Sequence, residues 1–134
     1  MIPAPDSQAW ESAPMLIKDR RLQQALLKAL GDEQSARILA ATAYQPQSVM
    51  DLIRDAGLPS STAYRRVHEL EEESLLVVAK TVLNPDGKTY QMYKATFQEV
   101  TVSFRAGELQ VTATPNLDAV QKAFRVFHSF REEL

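Results

Sequence analysis

The sequence predicts an α+β fold, mainly helical, in which a helical unit is followed by two β-hairpins and a closing helix. Three observations carry this prediction. Apolar residues recur at helical spacing up to Leu70, give way to β-branched and alternating patterns between Leu75 and Ala113, and return to steps of three and four after Leu117. Turn chemistry stands at Asn84-Pro-Asp-Gly-Lys88 and at Ala106-Gly107. Finally, Ser48 to Leu70 reads as a short helix, a glycine-containing turn and a second helix that carries adjacent arginines.

At 134 residues the chain suits one domain with a real core and appendages, not two full-sized domains. It has no cysteine, which removes disulfides, thiolate catalysis and cysteine-ligated zinc together. No apolar run approaches the roughly 20 residues that span a bilayer, and Met1 to Pro14 lacks the pattern of a secretory signal, so a soluble cytoplasmic protein without membrane contact is expected. The formal net charge of -2 argues against nucleic-acid binding through bulk positive charge, so any such contact must be local. His68 and His128 have no evident carboxylate or nucleophile partner and no Gly-rich phosphate loop occurs. Neither catalysis nor a cofactor nor a metal site is therefore expected.

Taken in order, residues 1–14 form an irregular proline-containing arm in which Trp10 has most to gain from burial. Met15 to Leu30 is expected to be one amphipathic helix, with Leu22, Ala25, Leu26, Ala29 and Leu30 inward and Gly31 as its stop. Asp32 caps the next helix, whose buried stripe is expected to be Ala36, Leu39, Ala40 and Ala43 with Ile38 alongside. Ser48 and Asp51 are spaced as a capping box ahead of Leu52, Ile53 and Ala56. Gly57 supplies a positive φ, Leu58 plugs back into the core, and Pro59 with Ser60 or Ser61 caps the following helix. With Ala63, Val67 and Leu70 facing in, a 100° count turns Ser61, Arg65 and His68 outward, flanks them with Thr62 and Glu69, and leaves Tyr64 and Arg66 at the sides.

A hairpin follows, from the β-branched run Leu75 to Leu83 through the turn to Thr89–Ala95. A second hairpin sets Val100, Val102 and Phe104 opposite Leu109, Val111 and Ala113, with one apolar face that must pack on something. In the closing helix Leu117, Val120, Phe124, Phe127 and Leu134 form a stripe broken by Arg131 and widened by Phe130. Such a face needs a partner. A two-fold copy supplies one, which makes homodimerisation through Leu117, Val120, Phe124, Phe127 and Phe130 the expectation. Packing on its own domain, against the Met15–Leu30 helix or the second hairpin, is the alternative.

Three helices followed by a hairpin is the winged helix-turn-helix order, and the residues resemble the ArsR-like winged-helix transcription regulators. The likeness lies in Leu30-Gly-Asp-Glu-Gln-Ser-Ala-Arg-Ile-Leu39, in Leu58 to Leu76 and in Asn84 to Lys88. Residues 15–96 are then a winged helix-turn-helix unit with an added N-terminal helix, and residues 97–134 a dimerisation extension similar to those of archaeal members. The resemblance implies a homodimeric regulator that binds double-stranded DNA sequence-specifically, touching it with Ser61, Thr62, Tyr64, Arg65 and Arg66, and with the wing lysines Lys80 and Lys88 and also Lys94. Glu69, Glu71, Glu72 and Glu73 mark where that contact ends. No effector is identified, and the second hairpin is the expected place for one to act. Two departures stand out. Metal-sensing members carry cysteines that this chain lacks, and Ser74 replaces the usual glycine after the recognition helix, so the left-handed cap that glycine tolerates is either built differently or mildly strained. A winged helix used as a protein interaction module within a transcription or repair assembly is the alternative, which the net acidity keeps open.

Overall fold

In a computed structural model that describes residues 13–116, strand β1 (Met15–Leu16) leads into helices α1 (Arg20–Leu30) and α2 (Glu33–Thr42). Then come β2 (Gln47–Ser48), α3 (Val49–Asp55), α4 (Ser60–Glu72), β3 (Leu76–Leu83), β4 (Thr89–Ala95), β5 (Phe97–Arg105) and β6 (Glu108–Pro115). The strands form two antiparallel three-stranded sheets, β2-β4-β3 and β1-β6-β5. Trp10, His128 and the expected dimerisation residues Leu117, Val120, Phe124, Phe127 and Phe130 lie outside the described residues.

The single helix expected from Met15 is shorter than its periodicity suggested. Met15 and Leu16 pair with Ala113 and Thr112 of β6, and the Ile17 N–H donates to the Val111 carbonyl at 2.8 Å. The helix begins only at Arg20, where the Asp19 carboxylate accepts from the Arg21 N–H. A bare edge on β6 is thereby covered, a gain the local apolar spacing does not register.

Helix α2 also turns differently from the expected stripe. Its buried residues are Ser35, Ile38 and Thr42, while Ala36, Leu39 and Ala43 are half-buried and Ala40 is exposed. Two polar residues go inside because both are satisfied locally. The Thr42 hydroxyl donates to the Ile38 carbonyl at 2.8 Å, and Ser35 bonds the Asp32 carboxylate that caps the helix. A hydroxyl so satisfied costs little to bury, and its small volume lets α2 approach the core closely.

One continuous core joins all of this. Leu26, Ile38, Leu52, Leu70, Leu75, Leu76 and Val111 are its largest fully buried apolar side chains. Phe97, Val111 and Ala113 of the second hairpin pack in the same cluster as Leu22 and Leu26, so the expected division at residue 96 is no break in the core. Buried Thr96 ties the junction together: its N–H donates to Leu75 at 3.0 Å, its hydroxyl to the Ser74 carbonyl at 2.7 Å, and its carbonyl accepts from the Asn116 N–H at 2.8 Å.

Candidate nucleic-acid interface

The turn between α3 and α4 is built from short-range chemistry. Ser48 and Asp51 close a reciprocal capping box, with the Asp51 N–H donating to the Ser48 hydroxyl at 3.0 Å and the Ser48 N–H to the Asp51 carboxylate at 2.9 Å. The hydrogen bond from the Ser48 backbone, with Arg54 beside it, holds the Asp51 carboxyl below its ordinary range. Arg54 donates to Asp51 at 2.7 Å and to Asp55 at 3.0 Å, so its charge is committed within α3. Gly57 adopts φ +70 and buries Leu58 after it, which sets the angle at which α4 departs.

At the start of α4 the capping residue is Pro59, with no side-chain cap. Ser60 lies inside the helix and Ser61 one residue further, so neither serine caps, contrary to expectation. The inward stripe Ala63, Val67 and Leu70 is at most 2% exposed, as the periodicity requires. Ser61, Tyr64, Arg65 and His68 are exposed and Thr62 is half-buried, which brings Ser61, Thr62, Tyr64 and Arg65 together on the outer face of the first half of α4. Among the described residues Arg65 forms no ion pair.

Arg66 behaves differently. Its guanidinium donates to Glu69 at 3.2 Å and to Asp32 at 3.4 Å, its side chain is only 23% exposed, and its Nε is buried without a partner among the described residues. By its position in the motif Arg66 is expected among the DNA contacts. Its geometry instead braces α4 against the start of α2, because Asp32, distant in sequence, comes close only in the fold.

At the far end of α4 the glutamates are engaged locally. His68 meets Glu72 at 2.9 Å and Lys28 meets Glu73 at 3.9 Å. The helix stops in a Schellman arrangement: the Leu75 N–H donates to Leu70 at 2.8 Å, the Ser74 N–H to Glu71 at 3.0 Å, and Ser74 sits at φ +66. Of the two ways to replace the missing glycine, a differently built cap or a left-handed one under mild strain, the fold takes the left-handed one.

Beyond it the wing turns at Asn84–Lys88, with Gly87 at φ +87, an Asn84 N–H to Lys88 carbonyl bond of 2.7 Å and Lys88 exposed. Lys80 is exposed as well, just after a bulge between Val78 and Lys80. It pairs with Met92, one register step from the pair Thr81–Gln91. Thr81 and Gln91 line a groove between the wing and α4, so alternation puts Lys80 on the other face. Lys94, the third wing lysine considered, is 8% exposed and lies at the root of the sheet, too deep to meet a phosphate.

That groove encloses about 810 Å³ and is walled by Met50 of α3, Tyr64, His68 and Glu71 of α4, and Tyr90, Gln91 and Tyr93 of β4. The Tyr93 hydroxyl donates to Gln91 at 2.9 Å, and burial, with Glu71 nearby, pushes its pKa up. Nothing in the sequence marks Met50, Tyr90 and Gln91 as surface of this region. The nearest signal, the polar alternation Thr89, Gln91, Tyr93, names a face and not what the face opposes. Among the described residues no cluster of three metal-ligating side chains occurs, and no helix is long and apolar enough to cross a membrane.

An exposed helix after a tight turn, flanked by a hairpin with a lysine at its tip, is the arrangement that places side chains in a DNA major groove. No curated protein matches the chain. Residues 25–79 match the model of the IclR helix-turn-helix domain, a span that begins within α1, contains α2, α3 and α4, and ends at the bulge of β3. The segment 25–79 is therefore an IclR-type helix-turn-helix domain, the DNA-binding part of a transcription regulator.

Proposed function

We propose that the chain works in the cytoplasm as a homodimeric regulator that reads double-stranded DNA sequence-specifically with the N-terminal half of α4. The observation that carries this reading is Arg65. On a helix whose other arginine is tied to two carboxylates, it stands exposed without an ion-pair partner among the described residues, beside Ser61, Thr62 and Tyr64. Arginine pairs bidentately with guanine O6 and N7, and short hydroxyls bond phosphate oxygens. Lys88 at the wing tip serves a flanking phosphate, and Lys80 on the outer wing face a neighbouring one, adding salt-dependent affinity without sequence information. Arg66 holds α4 in place and is not assigned to DNA.

Within the winged-helix regulators the ArsR-like affiliation is supported by Leu30 to Leu39 and by the wing turn. Two features support the homodimer: the apolar stripe Leu117, Val120, Phe124, Phe127 and Phe130 in the sequence, and the exposed row Val102, Phe104 and Leu109 on the second hairpin. Two recognition helices in such a dimer address half-sites about 10 bp apart or a multiple of it.

The test is selection of bound sequences from a random duplex library, followed by Arg65→Ala. The substitution is expected to weaken binding to the selected site by about 1–3 kcal/mol, roughly 5–150-fold, and to relax the preference at one base pair. Unchanged affinity removes Arg65 as the reading residue. Sedimentation of the intact chain as a monomer at micromolar concentration removes the dimer. A second reading, a winged helix that binds protein, is favoured by Glu71 in the wing groove and by the net charge of -2. It predicts no duplex binding even at low salt, whereas phosphate contacts predict affinity that falls steeply as salt rises.

A further inference from the structure

The sheet β1-β6-β5 keeps an open edge. Short β1 covers β6, whereas β6 is the only strand paired with β5 among the described residues. Which groups of β5 face outward follows from the ladder. The Val111 carbonyl accepts from Ile17, on the side of β1, so Val111 and its partner Val102 form a pair that exchanges no hydrogen bond within the hairpin. Val102 therefore directs its N–H and carbonyl to the open side, and Val100 and Phe104 at the same phase do likewise. The other sheet guards its edge. There β3 is bent by the bulge between Val78 and Lys80 and carries a lysine at that point, two devices that discourage pairing. β5 is irregular only between Phe97 and Glu99 and runs unbroken from Glu99 to Arg105. Val102 is the midpoint of that run, 42% exposed, and Phe104 is 73% exposed.

We propose, resting on the homodimer reading, that β5 pairs antiparallel with β5 of a second copy about a two-fold axis at Val102, which joins the two β1-β6-β5 sheets edge to edge. The register carries the inference. It sets Val102 opposite Val102, Val100 opposite Phe104, Thr101 opposite Ser103 and Glu99 opposite Arg105 of the second copy. Apolar side chains then meet on the face that continues the core, while hydroxyls meet hydroxyls and a carboxylate meets a guanidinium on the other. The outward backbone groups of Val100, Val102 and Phe104 supply about six hydrogen bonds across the axis. Moving the axis to Thr101 or Ser103 keeps a ladder but sets Glu99 against Ser103, or Arg105 against Thr101, and matches neither charge. Both charges are available, since neither residue forms an ion pair among the described residues. Truncating Arg105 alone leaves the backbone hydrogen bonds in place, so reversal of charge, not its removal, tests the register.

The absence of native cysteine makes the test direct. In the full chain Val102→Cys sets a thiol across from its own copy at a Cα separation of about 5.5 Å, within the reach of a disulfide. Exposed Gln110→Cys on β6 is the control, because its copy lies three strand spacings away, roughly 14 Å. Under oxidised glutathione at micromolar protein, Val102→Cys is expected to join two chains about tenfold faster than the control. Glu99→Arg and Arg105→Glu, each of which sets like charges opposite one another twice per dimer, should each weaken dimerisation about tenfold, and the double reversal should restore it to within about twofold. Cross-linking at residue 102 no faster than at residue 110 overturns the edge pairing. A double reversal no better than the single ones overturns the register. Sedimentation of the unaltered chain separates the two readings: a dimer that fails these tests loses only the β5 edge and joins through another face, whereas a monomer removes the dimer and the edge together.

Discussion

The wing, β3–β4, and the second hairpin, β5–β6, root in the same core through Leu76, Tyr93 and Ala95 on one side and Phe97, Val111 and Ala113 on the other. Their far halves diverge. The wing exposes Lys80, Thr81, Lys88, Thr89 and Gln91, with Leu83 and Tyr90 as apolar exceptions. The second hairpin continues its core-facing row outward as Val102, Phe104 and Leu109, with Phe104 73% exposed. Equal architecture thus carries two kinds of surface, hydrogen-bonding groups with two lysines on the wing and an apolar row on the second hairpin. The turns differ too. The wing places Gly87 at its left-handed position, while the second hairpin has Ala106 at φ +50 before Gly107 at φ +82, the two positive angles of a type I′ turn with alanine where asparagine or glycine is preferred.

Several substitutions probe that comparison, beginning with the shared root. Phe97→Ala should lower the stability of the whole domain by about 3–5 kcal/mol, read as a shift of the denaturant midpoint for helical and sheet signals together. Separate transitions for the two signals would show the second hairpin to be an independent appendage. In the turns, Gly87→Ala is expected to destabilise by about 1–2 kcal/mol, since an L side chain resists φ +87 even in open space. Ala106→Asn should move stability the other way by about 0.5–1 kcal/mol, and a loss there would contradict the strain assigned to Ala106. On DNA, Lys88→Ala should reduce the salt slope of binding by about one and Arg105→Ala, at the other tip, should leave it unchanged. Equal effects at both tips would erase the distinction between the hairpins.

Acid supplies a probe confined to the recognition half. Asp51 is held below the ordinary carboxylate range, so the stability it contributes is fully present above its unfolded pKa near 4 and is lost as pH falls through its lower folded value. Ser48→Ala removes only the hydroxyl's part of the cap, at a cost of about 1 kcal/mol, and keeps the Ser48 N–H bond to Asp51; Asp51→Asn, which has no titrating carboxyl, should flatten that acid-side slope. An unaltered slope in Asp51→Asn would detach the cap from the pH dependence.

Much of the recognition unit was legible because its determinants are close in sequence. Ser48 and Asp51 recognise each other three residues apart, Gly57 is chosen for its φ, and Ala63, Val67 and Leu70 repeat on one side of a helix. The paired tip of the second hairpin was readable from Ala106-Gly107 in the same way. The wing groove was not, because alternation identifies a polar face without saying that Tyr64 and His68 stand across from it.

What the amino-acid sequence determined alone is therefore local: caps, positive-φ turns, strand alternation and the outward direction of Arg65. Tertiary structure decided which of two equivalent demands prevailed. It made Met15–Leu16 a strand because β6 had an edge to cover, and it turned α2 onto Ser35, Ile38 and Thr42 because the Ser35 and Thr42 hydroxyls were satisfied locally. It tied Arg66 to Asp32, a residue that only the chain's folding brings near. Local geometry follows from a few dihedrals and short-range hydrogen bonds, whereas the choice of partner depends on which distant surfaces compete for the same face.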